Sequence, residues 1–262
     1  MAIFIFIVII VFAFLLFAIS YNKKVKVTLN DQQIKKLLSV NVQFYRNLND
    51  EDKALFAQRI LSFLERVRIT GIQTQVEDID KVFIAAGAII PVFHFKKWKY
   101  RNVHEVLLYP NSFSEKYDLQ GNDRNILGQV GTGPMQNVMI LSQPELREGF
   151  TKNDSTSNPA IHEFSHLIDK EDGATDGIPE VFMQHKYCIP WLNKIKDEMK
   201  LIASGKSDIN PYALTNDAEF FAVVSEYFFK QPELLKERHK DLFELLELVF
   251  EEEKGDTPKI KS

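Results

Sequence analysis

The stretch that decides the fold is residues 158–169, which read Asn-Pro-Ala-Ile-His-Glu-Phe-Ser-His-Leu-Ile-Asp. Asn158 is a residue type that caps helices, and Pro159 is favoured at the first helical position. The pair predicts a helix that begins there and continues to about Asp169. Gly173 is a natural residue for ending it.

The two histidines of this predicted helix are four residues apart. His162 and His166 therefore lie on one face, one turn apart, where both imidazoles can reach the same ion. Glu163 is rotated away from them, where its carboxylate can take a proton from a water molecule as a general base. The alternative is an amphipathic helix with two packed or exposed histidines and a solvated Glu163. The defined helix start and the small number of histidines, 6 in the chain, favour the metal site.

A catalytic zinc usually has three protein ligands and one open position. Asp169 shares a helix with His166, and one helix does not easily wrap three ligands around a tetrahedral ion. We therefore expect Asp169 to accept a hydrogen bond from a ligand imidazole instead. The full set of candidates for the third ligand is Asp169, Asp172, Asp176, Glu180, His185, Glu219 and Glu226.

Two of these candidates lie on a second predicted helix, which opens at 215–217 and carries phenylalanines and valines. Glu219 and Glu226 are seven residues apart on one face. A carboxylate in such apolar surroundings is costly unless it meets a cation. Glu219 has an alternative role, because Asn216 three residues earlier would form a capping box with it. Spacing favours Glu219 over Glu226 only slightly.

The rest of the chain predicts a mostly helical α+β protein. Helical apolar spacing covers residues 49–68, 80–89 and about 232–252. Apolar runs at 103–109, closed by Pro110-Asn111, and at 137–142 predict strands. Cys188 is the only cysteine, which excludes an intramolecular disulfide and a thiol-rich metal site. The formal net charge is -4 and the basic residues are scattered, so no nucleic-acid partner is expected.

The N-terminus predicts a transmembrane helix. Residues 1–19 are all apolar, and no charged side chain precedes Lys23. A helix of that length reaches about 28 Å, close to the thickness of the hydrocarbon core of a bilayer. The lysines that follow place the rest of the chain in the cytoplasm. A cleaved signal peptide ending near 18–20 is the alternative, but the basic leader is missing and the apolar run is too long.

Several segments together resemble the MtfA (Mlc titration factor A) family, bacterial zinc metallopeptidases of the glutamate-zincin type. They are 162–169, Gly177-Ile178-Pro179, Pro211-Tyr212-Ala213 and 218–229. The resemblance is firm over residues 158–235 and looser over 45–157, and it does not extend to the apolar N-terminus.

The resemblance implies one Zn²⁺ per chain, held by His162, His166 and Glu219, with Glu163 as general base. It also implies that Tyr212 donates a hydrogen bond to the oxyanion of the reaction intermediate. Without it, Tyr212 would be taken for an ordinary aromatic residue after a proline. Glu226 would then lie behind the ligands or bond to the backbone.

The resemblance further implies a zincin-like metallopeptidase domain akin to the catalytic domain of anthrax lethal factor, with aminopeptidase-like action on a peptide or protein substrate. In such enzymes an extended substrate pairs with an edge strand, for which 136–142 is our candidate. Family members also bind a transcriptional repressor, which makes a protein regulator a further partner to consider, although nothing in these residues identifies a surface for it. A zinc-stabilised protein that sequesters a regulator, with incidental hydrolysis, is therefore the alternative function.

The expected organisation has four parts. Residues 1–21 form the membrane anchor, 22–45 a juxtamembrane linker, 46–255 the zinc peptidase domain and 256–262 a charged tail. The expected location is the cell inner membrane, crossed once, with the catalytic domain in the cytoplasm.

Overall fold

The computed structural model of the protein describes residue 25 and residues 27–112, 128–131, 136–152 and 154–251. Short 3₁₀ helices cover Lys170–Asp172 and Pro211–Leu214. The prediction of a mostly helical α+β protein is confirmed. The main elements in chain order are α1 (Asp31–Asn41), α2 (Gln43–Asn47), α3 (Asp50–Leu64), β1 (Arg68–Gly71), α4 (Asp78–Ile89), β2 (Glu105–Tyr109), β3 (Gly128–Val130), β4 (Val138–Ser142), α5 (Gln143–Thr151), α6 (Pro159–Asp169), α7 (His185–Ala203), α8 (Asp217–Lys230), α9 (Pro232–Arg238) and α10 (Lys240–Phe250).

The four strands form one mixed sheet in the order β1-β2-β4-β3. The first three of these are parallel neighbours, and β3 pairs antiparallel with β4. Since β4 is hydrogen-bonded on both sides, our prediction that 136–142 is an edge strand is wrong. Four of its five residues are buried, which is typical of a central strand. Among the described strands, the edge beside α6 belongs to β3.

Close packing between α4 and α6 fixes the helix with the two histidines in the core. Nine of the twelve residues of α4 are buried. At Gly87 a Cβ atom would lie 2.4 Å from the Cβ of Ala160, so only glycine allows this approach. A second apolar cluster, built around Trp191, Phe220 and Phe221, packs α7 to α10 together. Helix α8 connects this second cluster to the core around α4 and α6, because it also packs against α6.

The segment that we predicted to be a juxtamembrane linker, 22–45, is part of the domain over most of its described length. Helix α1 begins with a capping box between Asn30 and Gln33. The apolar side chains that follow repeat at helical spacing, which is why the segment folds onto the core rather than remaining a linker. Its buried residues are Leu29, Ile34, Leu38, Val42 and Tyr45.

The last predicted helix, 232–252, is two helices that meet at His239. The backbone leaves the helical region there, with φ -135° and ψ 54°. This break places the imidazole between two carboxylates, with Nδ1 3.2 Å from Glu198 Oε2 and Nε2 2.7 Å from Asp208 Oδ1. A continuous helix would carry the ring elsewhere.

The predicted anchor, 1–21, and the predicted charged tail, 256–262, lie outside the described residues. Within the described ranges, no helix combines the length and the apolar character that crossing a membrane requires.

Candidate metal centre

The helix α6 is built as its sequence predicts. The Asn158 side chain accepts hydrogen bonds from the backbone N–H groups of Ala160 and Ile161, each at 3.1 Å. Pro159 occupies the first position, and the chain leaves the following 3₁₀ turn at Gly173, whose φ is 103°. His162, Glu163 and His166 are thereby held on a rigid, mostly buried element.

Helix α8 supplies the facing side chains. Asn216 caps it by accepting from the backbone N–H of Glu219 at 2.9 Å. The Glu219 carboxylate does not return to the cap to complete a capping box, and instead points at the imidazoles of α6. The 3₁₀ helix Pro211–Leu214 packs against the start of α8 and carries Tyr212.

Three atoms of the kind that bind zinc converge between these helices. His162 Nε2 lies 2.9 Å from Glu219 Oε2 and 3.2 Å from His166 Nε2. The distance from His166 Nε2 to the same carboxylate oxygen is 3.3 Å. Ligand atoms around a tetrahedral zinc ion are separated by about 3.3 Å, which follows from metal–ligand bonds of about 2.0 Å. The donor set and its spacing therefore fit a metal ion.

The carboxylate of Glu226 supports this group from behind. Its Oε1 lies 2.7 Å from His162 Nδ1. Its Oε2 accepts hydrogen bonds from the Ser157 hydroxyl at 3.0 Å and from the backbone N–H of Asn158. Glu226 thus orients the His162 ring and bonds to the backbone at the start of α6, where the resemblance expects it.

The hydrogen bond that we predicted from a ligand imidazole to Asp169 is not formed. Asp169 Oδ2 accepts from the backbone N–H of Gly177 at 2.9 Å instead. Its Oδ1 and Nδ1 of His166 are both buried without a hydrogen-bond partner in the described part of the chain. Burial raises the pKa of Asp169 to about 6, although the Gly177 bond opposes the rise.

The side chains of the centre carry more negative than positive charge. Burial alone would lower the pKa of His162, but Glu226 and Glu219 hold it well above its usual value. Burial would raise the pKa of Glu219, but His162 and His166 bring it down to about 2. Burial raises the pKa of Glu163. Three carboxylates surround two imidazoles here, an excess of negative charge that a divalent cation would compensate.

These side chains lie at the base of a cleft of about 710 Å³. One wall is β3, where a Cβ atom on Gly128 would lie 2.7 Å from both Cγ and Oε1 of Glu163. We did not predict a role for Gly128. The sequence signal at this position is only the presence of a glycine. That signal can be interpreted only when Glu163 is known to lie beside it.

The opposite wall carries Tyr212, which is 54% exposed and whose ring centroid is 6.0 Å from that of His162. Burial of its inner part, together with the nearby Glu219, raises the pKa of Tyr212, so the phenol keeps its proton at neutral pH. Lys170 and Asp176 also line the cleft. Of the candidates for a third ligand, the structure brings only Glu219 to both imidazoles, and it places Glu180 and His185 in a separate cluster with Cys188.

Comparison with known proteins supports the presence of a metal centre. The family described as glucose-regulated metallo-peptidase M90 matches residues 18–251. A Mlc titration factor A from Pectobacterium atrosepticum is 29% identical over 232 residues, covering 82% of this chain and 84% of the relative. Proteins of the same name from Enterobacter sp. (strain 638) and Escherichia fergusonii are each 29% identical over 213 residues, covering 76% of this chain and 78% of the relative. The resemblance to the MtfA family is confirmed, and the chain belongs to the glucose-regulated metallo-peptidase M90 family.

Proposed function

We propose that the chain is a zinc-dependent peptidase in which His162, His166 and Glu219 hold one ion and Glu163 is the general base. The observation that carries this proposal is the convergence of the three ligand atoms, 2.9 to 3.3 Å apart, from two helices. Imidazole and carboxylate are the ligand types of many catalytic zinc sites. The site opens to a cleft large enough for a peptide segment.

When bound, zinc would polarise the scissile carbonyl and acidify the attacking water. Glu163 accepts a proton from that water while the water oxygen forms its bond to the carbonyl carbon. The same carboxyl then gives the proton to the departing amine nitrogen as the C–N bond breaks. The burial that raises the pKa of Glu163 suits both transfers, because a group must hold the proton between them. Tyr212, with its phenol protonated, donates a hydrogen bond to the oxyanion.

An extended substrate would lie along β3, whose outer edge faces no other described strand. Backbone pairing at such an edge gives affinity with little dependence on sequence. The absence of a side chain on Gly128 lets the substrate backbone and Glu163 approach each other. We propose an aminopeptidase-like preference, which the family resemblance supports. Digestion of one peptide set with free and with acetylated N-termini tests it, since equal cleavage of both would indicate an endopeptidase.

The variant Glu163→Gln tests the mechanism, because it keeps the shape of the side chain and removes the base. Zinc content should remain at the wild-type value while kcat/KM for peptide hydrolysis falls by at least about 100-fold. Glu148→Gln, an exposed change on α5, is the matched control and should alter neither quantity. Hydrolysis that survives in Glu163→Gln would contradict the assigned mechanism.

The names of the relatives favour one second candidate, a protein that sequesters a transcriptional regulator. In that case the ion would stabilise the fold and hydrolysis would be incidental. The same variant separates the two functions. A regulatory effect that Glu163→Gln retains in full, with hydrolysis abolished, would favour sequestration, and an effect that disappears with hydrolysis would favour the enzyme.

We also propose that residues 1–21 anchor the chain in the cell inner membrane with the catalytic domain in the cytoplasm. The apolar run and the lysines after it support this location. The full chain should remain in the membrane fraction under alkaline extraction, whereas a chain that starts at residue 25 should not. Protease added to intact spheroplasts should leave the domain uncut, and cleavage there would overturn the orientation.

A further inference from the structure

Three side chains of different metal-binding chemistry meet outside the cleft. Glu180, His185 and Cys188 each offer one ligand atom, and these atoms lie within 4.8 Å of one another. His185 and Cys188 are in the first turns of α7, and Glu180 belongs to the segment that precedes it. We propose that this triad is a second metal site, which takes a divalent cation of the zinc class at the protein surface.

The donor set is selective for that class of ion. Thiolate, imidazole and carboxylate all bind zinc, at about 2.0 to 2.3 Å. A soft thiolate disfavours magnesium and calcium, which take oxygen ligands. Glu180 and His185 are exposed and Cys188 is partly exposed, so small side-chain rotations are enough to bring the three ligand atoms onto one ion. A water molecule can occupy the remaining position.

The local electrostatics also suit a cation. Burial raises the pKa of the Cys188 thiol, and the negative charges of Glu180 and Asp176 raise it further. A bound divalent ion would compensate those carboxylates and displace the thiol proton to solvent. The sequence contains too few cysteines for a thiol-rich site, but a mixed site of this kind needs only one.

An ion at the triad would tie a wall of the cleft to α7. The segment that carries Glu180 also contains Asp176, which lines the cleft. One link between this segment and α7 already exists, since Trp191 Nε1 donates to the backbone oxygen of Gly177 at 2.6 Å. The ion would supply a second link.

Cobalt(II) titration of the metal-free full-length chain tests the proposal. A thiolate bound to cobalt gives a near-ultraviolet sulfur-to-metal charge-transfer band, which imidazole and carboxylate ligands do not give. Because Cys188 is the only cysteine of the chain, such a band reports this site alone. We expect two cobalt ions per chain and the thiolate band. One ion per chain without the band would overturn the proposal.

Four variants make the test specific. Cys188→Ser and His185→Ala should each remove the band and one equivalent of cobalt, whereas His94→Ala, at another exposed histidine, should remove neither. Glu219→Ala should keep the band, so failure of the metal centre in the cleft is distinguishable from failure of the triad. A band that His185→Ala leaves at full strength would contradict the site. A band whose intensity per chain increases with protein concentration would also contradict it, since thiolates of two chains would then share the ion.

Discussion

Glu226 Oε1 lies 2.7 Å from Nδ1 of His162, and the other oxygen of the same carboxylate accepts from the backbone N–H of Asn158. One side chain of α8 therefore orients the His162 ring of α6 and holds the start of that helix. Glu219, two turns earlier on α8, contacts the opposite nitrogen of the same ring. The His162 imidazole is thus fixed from both sides by one helix.

Glu226→Gln should weaken metal binding without abolishing it. Carboxylates behind a ligand histidine typically contribute 10–100-fold to metal affinity, so we expect a loss of about that size. Competition with a chromophoric zinc chelator measures it. Glu233→Gln, an exposed change on α9, is the matched control. Equal affinities for the two variants would show that the contact to His162 does not support the metal site.

Gly128→Ala should impair hydrolysis more than it impairs stability or metal binding. The new methyl group would overlap Cγ and Oε1 of Glu163, each 2.7 Å away. A flexible glutamate can rotate away at small cost, but it then leaves the position from which we propose that it acts as a base. We expect kcat to fall by about 100-fold, in the range of lost general-base catalysis, at an unchanged zinc content. A wild-type kcat in a folded Gly128→Ala protein would show that Glu163 does not need the space beside Gly128.

Asn158→Ala should lower the free energy of unfolding by about 2 kcal/mol, at the upper end of helix N-cap losses. Its side chain is fully buried and accepts from two backbone N–H groups, which the alanine would leave without a partner. Asn49→Ala is the matched control, since the Asn49 side chain caps the exposed start of α3 by accepting a hydrogen bond from the backbone N–H of Asp52. That loss should be about 1 kcal/mol or less. Urea unfolding of both variants gives the comparison, and a larger loss at Asn49 would contradict it.

The charge cluster at the break between α9 and α10 should make stability depend on pH. The hydrogen bond to Glu198 raises the pKa of His239 against the effect of burial, and Asp208 adds to the rise. Burial would raise the pKa of Asp208, but hydrogen bonds from His239, Tyr227 and Arg238 lower it to about 2. The contribution of His239 is complete below its unfolded pKa of about 6.5 and is lost as the pH rises through its folded value. That of Asp208 is present above about pH 4 and is lost as the pH falls toward 2.

Comparison of the wild type with His239→Gln across pH 5 to 9 tests this dependence. The difference in free energy of unfolding should be largest near pH 5 to 6 and should shrink as the pH rises, because the wild-type imidazolium then loses its proton. His94→Gln, at an exposed histidine, is the matched control. A difference that stays constant or grows with pH would show that the charge of His239 does not stabilise the fold.

The sequence predicted the parts of the site whose information is local. Asn158 and Pro159 define the start of α6 wherever the helix packs, and the spacing of His162 and His166 then fixes their common face. Helix α8 followed in the same way from the Asn216 cap. From spacing alone, Glu219 and Glu226 were almost equally good candidates for the third ligand. Only the packing of α8 against α6 shows that Glu219 contacts Nε2 of His162 and Glu226 contacts Nδ1.

The parts that were missed depend on contacts between distant segments. The three-residue strand β3 has no apolar pattern of its own and is defined by pairing with β4. The break at His239 brings the ring to Glu198 and Asp208, which come from distant segments of the chain. Helix α1 is different, because its signal is local. The capping pair Asn30 and Gln33 indicates a helix start, but we interpreted the polar segment around it as a linker.

The central claim is that one zinc ion binds between His162, His166 and Glu219. Anomalous X-ray scattering at the zinc edge, from crystals of protein loaded with one equivalent of zinc, tests it most directly. We expect a strong peak about 2.0 to 2.2 Å from the two Nε2 atoms and a Glu219 carboxylate oxygen. Protein that holds one zinc ion per chain but shows no peak between these three side chains would contradict it.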